Sequence, residues 1–155
     1  MKKIFVLLFF ILFTSIWADY TKKVHENYVI YEVQGKYSDI IFTLLDELSQ
    51  DGFILSYRAN IADAMEGLTK FHKRKALFKN AEKIGFCKVS LTLEMMDENP
   101  NNLMFCPLSI ALYEENKKNS NTKIIYRIEK NLSKDEKIMD KVNSTILRLI
   151  ENSLE

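Results

Sequence analysis

Two cysteines, Cys87 and Cys106, stand nineteen residues apart, and Met95, Met96 and Met104 fall between them. Thiols placed this way have three chemical outlets. They can join as a disulfide, closing a loop of about 20 residues and stabilising the fold by roughly 3 kcal/mol in the chain-entropy view. They can remain buried and inert, because a free cysteine packs like a small hydrophobe. They can also serve redox or metal chemistry. Thiolates and thioethers are soft ligands that suit Cu(I). Cys87, Cys106, Met95, Met96 and Met104 are therefore a candidate copper set, and copper is the one cofactor the residues suggest. Against that stands the ordinary use of methionine as core filler. The spacing is not the Cys-x-x-Cys of a thioredoxin-type pair, and no further residues at zinc-ligand spacing accompany it.

The remaining chemistry-bearing residues form no catalytic motif. His25 and His72 have neither a second histidine three or four residues away nor a nucleophilic serine context. Residues 70–79 gather Lys70, Lys73, Arg74, Lys75 and Lys79 around Phe71 and Phe78. Such a run suits an anionic ligand, an acidic partner or membrane headgroups, or is simply a solvated face. Glu94, Asp97 and Glu98 surround a turn without a pattern that pairs them across a cleft. The glycines form no phosphate loop.

The start of the chain sets its compartment. Lys2 and Lys3 precede an apolar run over residues 4–13, and Ser15, Ile16, Trp17 and Ala18 lead into Asp19. This is the pattern of a secretory signal peptide over residues 1–18, cut after Ala18. The run is shorter than the roughly 20 apolar residues of a membrane span, so no span is expected after cleavage. Export, to the periplasm in a two-membrane bacterium, places the cysteines in an oxidising space and favours the disulfide. Of 22 Lys and Arg against 21 Asp and Glu, two lysines leave with the signal. The near-neutral remainder gives no electrostatic case for a nucleic-acid partner. What is left is one domain's worth of chain.

The elements that would position these residues follow from periodicity. Residues 19–26 read as a loose polar lead-in. Residues 28–33 are β-branched and aromatic, as in a strand. Ile40, Ile41, Leu44, Leu45 and Leu48 recur at helical spacing, with Ser38 a candidate N-cap and Asp51-Gly52 a stop. Residues 53–58 read as a second strand. Asn60 caps another helix, with Ile61, Ala64, Met65 and Leu68 on its expected buried side. Residues 83–89 form a strand holding Cys87, and residues 91–97 a short helix ended by Asn99-Pro100. Residues 103–113, interrupted at Cys106-Pro107, pair with 123–129 as a hairpin. Ser133 and Glu136 suggest a capping box that opens a closing amphipathic helix over 133–153, carrying Ile138, Val142, Ile146, Leu149 and Ile150. Helices grouped among largely antiparallel strands give an α+β domain over 27–155.

Several of these segments resemble the domain of unknown function 302 family. The quoted features are a helix followed by Gly52-Phe53-Ile54-Leu55, a cysteine at a strand end in Gly85-Phe86-Cys87-Lys88, and Phe105-Cys106-Pro107 running into Leu112-Tyr113-Glu114. The likeness covers about residues 27–130. Where the family has Cys-Asn-Pro this chain has Cys87-Lys88-Val89, and its Pro-Cys order is reversed to Cys106-Pro107. The resemblance implies a small α+β fold of TATA-binding-protein-like architecture and a tendency to form homodimers; it brings no activity. The leading functional expectation is an exported module that binds a small ligand or a protein near Cys87 and Cys106, with a redox or soft-metal protein as the alternative. An enzyme of unrecognised class is the third reading.

Overall fold

The computed structural model describes residues 20–155. The signal peptide expected over residues 1–18 lies outside them. The described chain runs β1 (Tyr20–Val24), β2 (Tyr28–Val33), α1 (Tyr37–Gln50), β3 (Ile54–Asn60), α2 (Ile61–Phe71), β4 (Phe78–Cys87), α3 (Val89–Glu98), a 3-10 helix (Pro100–Phe105), β5 (Leu108–Glu115), β6 (Thr122–Arg127) and α4 (Ile138–Asn152). The strands form one sheet in the order β1-β2-β6-β5-β4-β3, each pair antiparallel. The protein is an α+β domain, as its alternation of patterns led one to expect.

Alternation along the central strands decides which face is buried. Val29, Tyr31 and Val33 of β2, Leu108, Ile110 and Leu112 of β5, and Ile124 and Tyr126 of β6 are all buried. The register sets Tyr31 and Leu112 opposite Ile124, and Ile110 opposite Tyr126, so these side chains share one face. Helices α1 and α4 lie on it and on each other. They contribute Ile40, Ile41, Leu44 and Leu48 from one stripe and Met139, Val142, Ile146, Leu149 and Ile150 from the other. Each such aliphatic side chain stabilises by about 1.5–3 kcal/mol when fully buried, so the two stripes are the main drive for docking both helices on one side of the sheet.

Four local expectations are corrected. Residues 20–24 of the supposed lead-in are a full edge strand. They pair with β2, and the Lys22 ammonium lies 2.6 Å from the Glu151 carboxylate of α4. Polar composition had suggested a loose segment, but the partner strand satisfies its backbone. Ser38 does not cap α1. The cap position is Lys36, and Ser38 lies inside the helix with its hydroxyl donating to Asp39.

Helix α4 begins at Ile138, five residues beyond Ser133. Its first free amides are met from elsewhere. Glu98 accepts from the Lys137 and Ile138 N–H groups, and Asn131 accepts from the Met139 N–H. Lastly, no residue of α2 is buried: Ile61, Ala64 and Leu68 are exposed and Met65 is half-buried. The helix leaves the edge strand β3 and lies along the end of β4 at the margin of the sheet, where no face is offered to cover its stripe. Asn60 does cap it, accepting from the Asp63 N–H at 3.0 Å.

Candidate functional site

The register of β4 on β5 brings the two thiols together. Phe86 pairs with Leu108, so the chain leaves the sheet at Cys87 and returns at Cys106 and Pro107 beside it. Between those roots lie α3 and the 3-10 helix, held by the Asn102 side chain, which donates to the Met95 carbonyl at 2.9 Å. The Cys87 and Cys106 Sγ atoms are 2.7 Å apart, and the Thr92 hydroxyl is 3.7 Å from Cys106. Both cysteines are half-buried. Burial, reinforced by the hydrogen bond with the Cys106 thiol, pushes the Cys87 thiol up from its ordinary value. A thiol held up in this way is a weak nucleophile near neutral pH, so its proximity to Cys106, and not its reactivity, is what the site offers.

The three methionines are placed differently from one another. Met95 is buried in the core, Met96 is half-buried, and Met104 is exposed on the 3-10 helix. Met95 therefore serves as core filler. Among the described residues, no group of three or more His, Cys, Asp or Glu side chains converges as a metal cage would require. His25 stacks on Tyr28 with ring centroids 4.4 Å apart, and His72 meets the edge of Phe71 at 5.1 Å. Neither lies with the cysteines in the fold's hydrogen-bond network.

Beside Cys87 the sheet offers a groove. β3 pairs only with β4, and open hollows lie between the β3–β4 edge and α1. One end is a cavity of about 210 Å³ lined by Leu45, Leu48, Ser49, Phe53, Leu55 and Phe86. Leu45 also borders the next hollow, about 340 Å³, with Ile41, Phe42, Arg58 and Glu82 around it. Phe53 meets Phe86 edge-on at 5.5 Å. The groove is apolar along its floor and charged at both ends. At one end the Arg58 guanidinium grips the Glu82 carboxylate through two nitrogens. Near the other, Lys88 lies 5.7 Å from the centre of the Phe53 ring and bonds Asp51 at 2.9 Å, with Arg148 on the same carboxylate at 3.2 Å.

Sequence periodicity had assigned Leu45, Phe53, Leu55 and Phe86 to strands and helices without distinguishing groove from core. That distinction depends on β3 being the edge, which is a property of the topology. The signal within reach was the contrast between the apolar start of β3 and the absence of any second helix to cover it.

An antiparallel six-stranded sheet with two helices on one face, a thiol pair at a strand end and an apolar edge groove define a small α+β module without a catalytic constellation among the described residues. The chain belongs to the family described as domain of unknown function DUF302, whose model matches residues 29–153. It is similar to the crystal structure of an uncharacterised conserved DUF302 protein from Bacillus stearothermophilus, with a TM-score of 0.63 and 16% identity, over 84% of this chain and 97% of that one. No curated protein matches it. Among the described residues no helix is long and apolar enough to cross a membrane.

Proposed function

We propose that the protein is an exported binding module, periplasmic in a two-membrane cell, whose groove between α1 and the β3–β4 edge takes an apolar small molecule or an apolar segment of a partner protein. The observation that carries this reading is the groove itself. It is a concave apolar floor with charged groups at its ends, the general form of a ligand site. A homodimer fits the same region. Ile54, Leu55 and Tyr57 of the edge strand stay exposed, and an apolar strand edge is a template for another strand.

The test is native mass spectrometry of the protein taken from its own compartment, followed by thermal melts with long-chain carboxylates and apolar peptides. A ligand that binds only the folded state raises the melting midpoint. A retained mass, or a rise that disappears in Leu45→Trp, supports the groove. No retained mass and no rise with either class rejects it. The masses of the free and associated species decide the homodimer in the same experiment.

A second reading, redox or soft-metal handling, is favoured by the juxtaposed thiols. Two thiolates with an exposed methionine nearby in sequence would accept Cu(I). Titration of the reduced protein against a Cu(I) chelator settles it, and failure to compete at micromolar free metal ends it.

A further inference from the structure

From residue 54 to residue 80 no residue is buried, although the stretch forms β3, α2 and the start of β4. Ordering a chain costs conformational entropy at every residue, and this stretch returns nothing to the core. Its outer surface is also unusual in kind. On α2 the side resting on the chain at Ala76–Lys79 is Ala62, Asp63, Met65, Glu66 and Thr69. The opposite stripe, Ile61, Ala64, Leu68 and Phe71, points to solvent, with Leu68 64% and Phe71 80% exposed. At 3.6 residues per turn, Asp63 and Glu66 fall on the far side of the helix from that stripe.

The loop after α2 adds charge to this face. His72, Lys73 and Arg74 donate backbone hydrogen bonds to Leu68, Lys70 and Thr69, which fold the loop back on the helix end. Lys73, Arg74 and Lys75 are exposed, and among the described residues they form no ion pair, whereas Lys70 is taken by Glu66 and Lys79 by Glu114. Three uncompensated cations thus follow directly on Leu68 and Phe71 on one short surface element.

We propose that the outer face of α2 and the loop over residues 72–75 form a docking site for an anionic lipid surface. The cations meet the headgroups, and Leu68 and Phe71 enter the boundary beneath them. Charge complementarity alone would equally suit a nucleic acid or an acidic protein. The apolar side chains favour lipid, because a phosphate backbone offers Leu68 and Phe71 nothing to bury against. The face is the outside of a helix and a turn, so it offers no groove for a peptide, and a bilayer accepts such a convex shape.

The experiment is sedimentation of the exported chain, beginning at Asp19, with phosphatidylcholine vesicles made with and without phosphatidylglycerol, at low and high salt. The wild type is expected to sediment with the anionic vesicles only and to be released by salt. Lys73→Glu/Arg74→Glu/Lys75→Glu and, separately, Leu68→Ser/Phe71→Ser are each expected to weaken partitioning by about tenfold or more. A Phe71→Trp variant is expected to shift its emission to the blue on the same vesicles, a readout that does not depend on a destabilised protein. Equal sedimentation with both vesicles, no sedimentation, or binding untouched by either multiple variant overturns the proposal. So does an unshifted emission from the Phe71→Trp variant, or heparin binding as tight as vesicle binding and unaffected by the loss of Leu68 and Phe71.

Discussion

The Cys87 and Cys106 sulfur atoms stand 2.7 Å apart at the two roots of the excursion that carries α3 and the 3-10 helix. Residues nineteen apart in sequence meet because Phe86 and Leu108 are the last paired residues of β4 and β5. In an oxidising compartment such a pair closes the excursion covalently with little movement. The protein purified without reductant is expected to have an intact mass about 2 Da below that of the dithiol, with no alkylatable thiol. Reduction is then expected to lower its unfolding free energy by about 3 kcal/mol. Two alkylatable thiols and identical denaturant curves with and without reductant would exclude the crosslink. In the reduced protein, Cys87 is expected to alkylate slowly at neutral pH and faster above the usual thiol range, because burial and the neighbouring thiol keep it protonated.

Asn143 ties α4 to the end of β6. Its side-chain oxygen accepts from the Tyr126 hydroxyl at 2.9 Å and from the Glu129 N–H at 3.0 Å, and its amide donates to the Glu129 carbonyl at 2.8 Å. All of these groups are buried. Asn143→Ala leaves them without partners, at about 1–3 kcal/mol for a stranded group. We expect a loss of about 2–4 kcal/mol in chemical denaturation, with the m-value unchanged. A loss below about 1 kcal/mol would mean that water replaces the amide.

Periodicity made the core legible and left the edges obscure. The stripes of α1 and α4 and the alternation of β2, β5 and β6 were readable because each buries one face, and burial leaves its period in the sequence. The same periodicity in α2 pointed to burial that does not occur, since a stripe records that an apolar face exists and not what covers it. Tyr20–Val24 carries two lysines and a threonine and reads as loop, yet it is a strand, as an edge strand with one solvated side can be. The capping of α4 by Glu98 was out of reach for another reason: the donor and acceptor lie 39 and 40 residues apart and meet only in the fold. For the candidate site, the cysteine pair was visible as residue types, whereas the groove was not, because it depends on which strand has no neighbour.

Gly85 is a position where a side chain has no room. A Cβ there would lie 2.1 Å from the Tyr57 ring, which covers the glycine from the adjoining edge strand. Gly85→Ala therefore displaces Tyr57 and loosens the β3–β4 pairing beside the groove. The expected cost is about 1–3 kcal/mol, the range for overpacking. The double variant Gly85→Ala/Tyr57→Ser is expected to recover part of it, since the clash is with that ring. Additive losses in the two singles and the double would show that the ring is not the obstacle.

Acid stability follows from three carboxylates whose folded-state pKa values are lowered. For Asp51, burial pushes the carboxyl up, but hydrogen bonds from Lys88 and Arg148 outweigh it. Glu151 is held down by the Lys22 ammonium, against burial, and by the Tyr31 hydroxyl. Glu136 is held down by the Asn99 amide, against burial, and by the Leu132 N–H. A carboxylate with a folded pKa below its unfolded value near 4 stabilises the fold fully above that value and loses the contribution as pH falls through the folded one. The melting midpoint is therefore expected to be flat from neutrality down to about pH 5 and to fall steadily below about pH 4. Asp51→Asn should lower the unfolding free energy at neutral pH by less than about 1 kcal/mol, because the pair is partly solvated. The difference from the wild type should vanish in strong acid, where Asp51 is protonated in both states. Melts of the two proteins between neutral and strongly acidic pH check this, and a gap that widens as the pH falls would contradict the sign of the linkage.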